Sequence, residues 1–395
     1  MMEKVFISGN EAVAVGTKLS RPHVISAYPI TPQTIVVERL SEMVEEGSIK
    51  AEFMHVESEH SALSAAMGAS AIGARTFTAS SSQGLLYMAE CMHYASGGRF
   101  PIVMMNANRS VALPWSIYGD QRDSLSLLDS GWLQVYVEDA QESLDMVIQS
   151  YAIAEHPDVL TPIMLNLDGF VLTHTYEEVE VPQQEAVDAF LPPYKTTNKF
   201  DLENPTNMCF SSSPADNMAF KYQQHKAALD AVKVIKEVNE NFATQFHRDY
   251  GGLIQAYRCE DAEVVLIALG SVCGTCRTVV DALRQQGQKV GLLKIRFMRP
   301  FPEKEILEVL KDVKAVGVID KDISFGYEGT VYTNVNSALA KGGQDIQSLN
   351  FIAGLGGRDI SKEDIQGMFE KLQEVPGTKV EKHVHFINVG VEIDA

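Results

Sequence analysis

Between His23 and Ala107 the chain repeats one unit: a short apolar run, a polar loop, then a longer segment with helical spacing. The apolar runs are "HVISAY", "AEFMHV", "RTFTAS" and "FPIVMMNA". Between them stand "QTIVVERLSEMVEEG", then "SALSAAMGASAIG" and "GLLYMAECMHYAS". The first of these places Ile35, Val36, Leu40, Met43 and Val44 on one helical face and stops at Gly47. Strands separated by helices cannot pair as hairpins. They pair through crossovers, which predicts an α/β fold with a parallel, doubly wound sheet.

The pattern continues beyond this core. "DAQESLDMVIQSYAIAEH" predicts a helix with a capping pair, Asp139 and Glu142. "TPIMLNLDGF" supplies another buried strand. From about Val181 to Pro214, residues rich in Pro, Asn, Ser and Thr predict a covering loop or linker. A long amphipathic helix follows, roughly Asn217 to Phe246. A second α/β unit starts at "AEVVLIALGS" and runs through a helix around Arg277–Gln286, "KVGLLKI", "EKEILEVLKDV", "AVGVID" and a late helix opened by Ser361 and Asp364. A domain boundary is expected near residue 255, giving an α/β domain over 1–254 and a second over 255–395.

Composition bounds the function. The 395 residues suffice for two or three domains. A charged fraction of 22% with 45% apolar residues is that of an ordinary globular chain. No apolar run approaches the roughly 18 residues of a spanning helix, and the start "MMEKVFISGNEA" has no apolar signal region, so a cytoplasmic protein is expected. Cys91, Cys209, Cys259, Cys273 and Cys276 are too few for a disulfide framework. A net charge of -19 argues against nucleic acid or an anionic membrane as partner.

Ligands of open α/β sheets sit beyond the carboxyl ends of the strands. That brings four segments near one crevice: "AYPITPQT", "HVESEH", "TASSSQG" and "NANRS". The prolines around Thr31 hold it and Tyr28 rigidly. Glu57 and Glu59 suit either a helix cap or a crevice carboxylate. Arg109 suits a carboxylate ligand or a surface ion pair. The lone CxxC of "SVCGTC" lacks the further ligands that zinc needs and reads as packing. The glycines of "AGLGGRD" mark a turn or a phosphate contact. There is no Walker loop, no GxGxxG after a strand, no cysteine set for an iron–sulfur cluster and no magnesium diphosphate motif.

Taken together, "AYPITPQT", "HVESEHSALSAAMGASAIGARTFTASSSQGLLYM", "GDQRDSLSLLDSGWLQVYVEDAQESLDMVI", "LDGFVLTHTYEEVEVP", "KIRFMRPFPEKEI" and "FIAGLGGRDIS" resemble the alpha subunit of the multi-subunit 2-oxoacid:ferredoxin oxidoreductases, the pyruvate enzymes above all. The resemblance runs from about Gly9 to near the C-terminus. It implies a pyrimidine-binding-like domain for thiamine diphosphate, followed by a transketolase C-terminal-like domain. Glu59 matches the glutamate that hydrogen-bonds the aminopyrimidine ring. Thr31 and Arg109 match contacts to the 2-oxoacid carboxylate. Tyr28, Pro29, Ser82 and Gln83 are placed beside the cofactor. The diphosphate, with magnesium, is implied on a beta subunit. The 4Fe-4S clusters are likewise assigned to partner chains, beside a gamma subunit and a ferredoxin-like delta subunit, with none on this chain. Electrons pass to ferredoxin and the acyl group to coenzyme A. Gln121 and Leu128 depart from the family's usual histidine and arginine. If they face the substrate, they leave a less basic pocket with room for a branched-chain or aryl 2-oxoacid (2-oxoisovalerate, phenylglyoxylate). A scaffold that has lost its site, and a stand-alone transketolase-like enzyme, are the rival readings.

Overall fold

Two parallel sheets carry the molecule in a computed structural model that describes residues 3–205, 207–208 and 211–390. The first has seven strands in the order Phe297–Arg299, Leu133–Tyr136, Ile163–Asp168, Val103–Asn108, Thr76–Ser80, Val24–Ala27, Glu52–His55. All neighbours are parallel except Phe297–Arg299, which runs antiparallel to Leu133–Tyr136. The second has six, in the order Val384–Phe386, Gln347–Ile352, Ala315–Asp320, Val264–Ala268, Val290–Ile295, Ile254–Tyr257. Only Ile254–Tyr257 is antiparallel there. The doubly wound architecture is therefore present twice. The strand Ile254–Tyr257 straddles the boundary expected near residue 255, and Phe297–Arg299 leaves the second half to complete the edge of the first sheet.

Local chemistry explains the element ends. Ser58 caps the helix Glu59–Ala71 by accepting from the Ser61 N–H. Asp139 caps Ala140–Ala154 by accepting from the Glu142 N–H at 2.7 Å. Ser361 and Asp364 form the full reciprocal box on Lys362–Gln373. The single helix expected over "GLLYMAECMHYAS" divides into Ser82–Tyr87 and Ala89–Gly97. The loop expected from Val181 contains a helix, Gln184–Phe190, and the long helix spans Pro214–Phe246. Several elements escaped periodicity, the strands Leu133–Tyr136 and Gln347–Ile352 among them. The strand Glu3–Ser8 pairs antiparallel with Tyr176–Val181, and the helix Gly9–Leu19 packs on Ala140–Ala154. A Cβ on Gly16 would come within 2.6 Å of the Leu144 carbonyl, so only glycine permits that approach. The helix Thr330–Gly342 was not anticipated either.

Helices cover both faces of each sheet. In the first, Val36, Leu40 and Tyr151 close one face, and Ala62, Leu63 and Met92 the other. In the second, Cys273, Cys276, Met368 and Phe369 pack one face, and Ile306, Val331 and Val335 the other. At about 25 cal/mol per Å² of apolar surface, such two-sided burial is the main stabilising term. The two halves are joined by a buried ionic network. Glu142 accepts from Lys294 Nζ at 2.6 Å and Arg296 Nε at 2.7 Å, and Lys294 also reaches Glu138 at 3.0 Å. Arg277 pairs with Glu138 as well. Burial opposes the charge of Glu142, yet Lys294 and Arg296 hold its carboxyl down at about 2. The second member of the expected capping pair is thus chiefly an inter-domain link.

Candidate active site

The first sheet reverses its winding between Val24–Ala27 and Thr76–Ser80. The chain leaves Val24–Ala27 toward the edge strand Glu52–His55, and leaves Thr76–Ser80 in the opposite direction. A crevice opens at such a switch point beyond the carboxyl ends. The four segments expected there do converge.

Glu59 stands in the first turn of Glu59–Ala71 and is only 9% exposed. Its carboxylate lies against the turn that follows Thr76–Ser80: a Cβ on Gly84 would meet Glu59 Oε1 at 2.5 Å and Ser80 Oγ at 2.8 Å. The helix cap is Ser58, and Glu57 is exposed and accepts from the Ser61 hydroxyl at 2.5 Å. Glu59 is left with no hydrogen-bond partner for its carboxylate among the described residues. Ser80 Oγ is likewise buried and unpartnered. An unpaired buried hydroxyl costs stability unless a ligand satisfies it, and the Glu59 carboxylate beside it is open to a partner, so the two together fit a hydrogen-bonding heterocycle.

Arg109, 5% exposed, ends the strand Val103–Asn108 and is not a surface ion pair. Its Nη1 donates to the Thr31 carbonyl at 2.6 Å and its Nη2 to Gln83 Oε1 at 3.2 Å. Its Nε is buried without a partner. Burial pulls the guanidinium below its ordinary pKa, while Asp123 and Glu59 push it back. The structure therefore brings Thr31, Glu59, Gln83 and Arg109 together. Thr31 precedes a cis peptide to Pro32, and its carbonyl, not its exposed hydroxyl, meets Arg109. Tyr28 and Pro29 begin the same loop, where the Tyr28 carbonyl accepts from Gln33 Nε2 at 3.1 Å. Ser82 adopts a left-handed φ of 49° and turns inward. Its N–H donates to Asp123 and its hydroxyl to the Ser110 carbonyl at 2.7 Å, so both its donors are used inside the protein.

Asp123 is the residue at the crevice that sequence reasoning missed. Fully buried, it accepts from the N–H groups of Ser82, Arg109 and Ser124 and from the side-chain amides of Asn106 and Asn108. It ties the loops after two adjacent strands into one wall. Burial pushes its carboxyl up to about 6, and the surrounding N–H donors restrain the rise. The only signal was an acid close behind the ligand edge, in a segment without periodicity.

Gln121 and Leu128 are the two departures from the family pattern. Both turn toward the second domain. Gln121 is buried and donates to Asp168 Oδ1 at 3.3 Å, while its own N–H bonds the Lys321 carbonyl. Leu128 packs against the core of the second domain. The "AGLGGRD" glycines make a turn with φ of 72°, 60° and 80° at Gly354, Gly356 and Gly357. The Gly356 N–H donates to Asp120, and Gly357 lets the turn close on Tyr118. Cys273 and Cys276 are fully buried free thiols, and burial pushes Cys276 up to about 12. No group of three or more His, Cys, Asp or Glu side chains is placed to hold a metal among the described residues. No described helix is long and apolar enough to cross a membrane.

Comparison with known proteins gives the family. Residues 15–240 match the family "Pyruvate flavodoxin/ferredoxin oxidoreductase, thiamine diP-bdg", and residues 262–365 match "Pyruvate:ferredoxin oxidoreductase core domain II". The first domain is thus a thiamine diphosphate-binding domain of an oxidoreductase. The chain belongs to the 2-oxoacid:ferredoxin oxidoreductases, as an alpha subunit. It is 47% identical to the pyruvate synthase subunit PorA of Methanothermobacter thermautotrophicus over 93% of this chain and 94% of that one. It is 43% identical to the ketoisovalerate oxidoreductase subunit VorA of Pyrococcus horikoshii over 98% of each. The fold matches a solved 2-oxoglutarate:ferredoxin oxidoreductase from Magnetococcus marinus with a TM-score of 0.71 at 20% identity. That match covers 94% of this chain and 65% of the other.

Proposed function

We propose that the crevice binds the pyrimidine half of thiamine diphosphate and the carboxylate of a 2-oxoacid, with pyruvate as substrate. The observation that carries this is Glu59: a carboxylate nearly out of solvent, without a protein partner, beside a buried arginine. When bound, thiamine diphosphate supplies the carbon nucleophile that attacks the keto group and accepts the electron pair released with carbon dioxide. The chain's own part is threefold. Glu59 shares a proton with a ring nitrogen of the aminopyrimidine. Arg109 pairs with the substrate carboxylate through the donors left free by Thr31 and Gln83. Asp123 keeps the Arg109 and Ser82 loops in register, and the buried walls exclude water.

The diphosphate, its magnesium ion and the clusters are assigned to beta, gamma and delta partner subunits, which pass electrons to ferredoxin, and coenzyme A takes the acyl group. Pyruvate is favoured by the pyruvate synthase subunits among the similar proteins. The ketoisovalerate oxidoreductase subunits at 43–44% identity support a second reading, the same chemistry on a branched-chain 2-oxoacid. The test is reconstitution with the partner subunits and measurement of coenzyme A-dependent viologen reduction across 2-oxoacids. Pyruvate should have the highest kcat/KM. Preference for 2-oxoisovalerate would establish the second reading, and no turnover of any 2-oxoacid would end both.

A further inference from the structure

The second sheet has a switch point of its own. Val264–Ala268 leads through the helix Val272–Gln285 to Val290–Ile295 on one side, while Ala315–Asp320 leads through Thr330–Gly342 to Gln347–Ile352 on the other. Doubly wound sheets hold anions at this place, on backbone N–H groups and a helix start. Here the place is filled by a side chain of the first domain. Asp168, 2% exposed, ends the strand Ile163–Asp168. Its Oδ2 accepts from the Ser271 N–H at 2.8 Å and the Ser271 hydroxyl at 2.6 Å. Its Oδ1 accepts from Lys321 Nζ at 2.7 Å and from Gln121 Nε2 at 3.3 Å. A Cβ on Gly270 would come within 2.6 Å of Oδ2, so the turn closes on the carboxylate only as glycine.

The next residue faces the crevice loops. The Gly169 N–H donates to the Asn108 carbonyl at 3.0 Å. A Cβ there would meet that oxygen at 2.3 Å and Pro32 Cγ at 3.1 Å. Asn108 precedes Arg109, and Pro32 follows Thr31. One peptide unit thus touches the second domain on one side and both Arg109-bearing loops on the other.

We propose that Asp168 is a positioning residue whose carboxylate plugs the anion cradle of the second domain and so fixes where Arg109 and Thr31 stand. This rests on the assignment of Arg109 to the substrate carboxylate. In the assembled complex, Asp168→Ala should raise KM for the 2-oxoacid on the order of tenfold or more, the scale of a lost charged hydrogen bond, with kcat little changed. Amide hydrogen exchange at Ser271 and Gly169 should accelerate by a similar factor. Added formate, a carboxylate that fits the vacated cradle, should reverse both effects, and chloride at equal ionic strength should not. If Asp168→Ala does not fold, Asp168→Asn carries the exchange and KM measurements, because it keeps the shape and loses the charge. Wild-type exchange at Ser271 overturns the proposal, as does an Asp168→Ala defect that formate leaves untouched. An unchanged KM for the Asp168 variant beside a raised KM for Arg109→Ala also overturns it. Unchanged KM in both variants, with fast exchange at Ser271, would instead overturn the assignment of Arg109 and leave the plug standing.

Discussion

Glu59 and Arg109 divide the chemistry of the crevice by what each leaves unsatisfied. Glu59→Gln keeps a hydrogen-bonding side chain of the same size but cannot share a proton. Turnover should fall by roughly 10²–10⁴, the usual range for a lost acid–base group, with thermal stability unchanged. Proton exchange at the thiazolium carbon of the assembled complex checks it: exchange as fast as wild type would leave Glu59 without an acid–base role. Arg109→Ala should cost about 2–5 kcal/mol in kcat/KM, mainly through KM, because the carboxylate is held in the ground state. Arg109→Lys should lose less, since it keeps charge but not the forked donors. Cofactor content, measured by release and fluorescence assay, should stay normal in both. Loss of thiamine diphosphate would show that the arginine serves the cofactor instead.

At the scale of elements, the legible parts were those governed by local spacing. The strands around Phe77 and Met104 are buried on both faces and hold small or apolar residues with few charges, which makes them readable as strands. Asp139 and Ser361 announce helix starts because a cap acts within four residues, whereas the cap of Glu59–Ala71 is Ser58 and not the flanking acids. What local spacing cannot show is a partner far along the chain. Glu142 reads as a cap, yet its strongest partners, Lys294 and Arg296, stand 152 and 154 residues away. Asp123 and Asp168 are isolated acids in sequence and hubs in space. Gln121 and Leu128 show the converse: a departure from a family pattern shows where to look, not which way a side chain points, and both point toward the second domain. The CxxC illustrates the same limit. Cys273 and Cys276 sit on the inner face of Val272–Gln285 against Met368 and Phe369. The double change Cys273→Ser, Cys276→Ser should therefore leave turnover and metal content near wild type. It should lower the melting temperature, because an unpartnered buried hydroxyl costs about 1–3 kcal/mol. A large loss of activity or of metal would identify a site at the pair.

Across the whole molecule, the buried ionic network sets a pH window. The Glu142 carboxyl falls from an ordinary 4.5 to about 2 on folding. A depressed carboxyl contributes its stability in full above the unfolded value and loses it as pH falls through the folded one. The window is thus about pH 4.5 down to 2, and the contribution is about 3 kcal/mol. Denaturant midpoints should show Glu142→Gln well below wild type at pH 7, with the gap closing as pH approaches 2. A gap that stays constant with pH would mean that the ion pairs are not what the substitution removes. The strand Phe297–Arg299 has a consequence of another kind, for synthesis. Its partner Leu133–Tyr136 emerges 163 residues earlier (299 minus 136). At about 5–20 residues per second, the nascent first sheet waits about 8–30 s with an open edge. An apolar edge left open that long is a template for intermolecular pairing. A fragment ending at residue 254 reproduces the waiting state permanently. Light scattering should show it associating with rising concentration, whereas a fragment extended through Arg299 should scatter less.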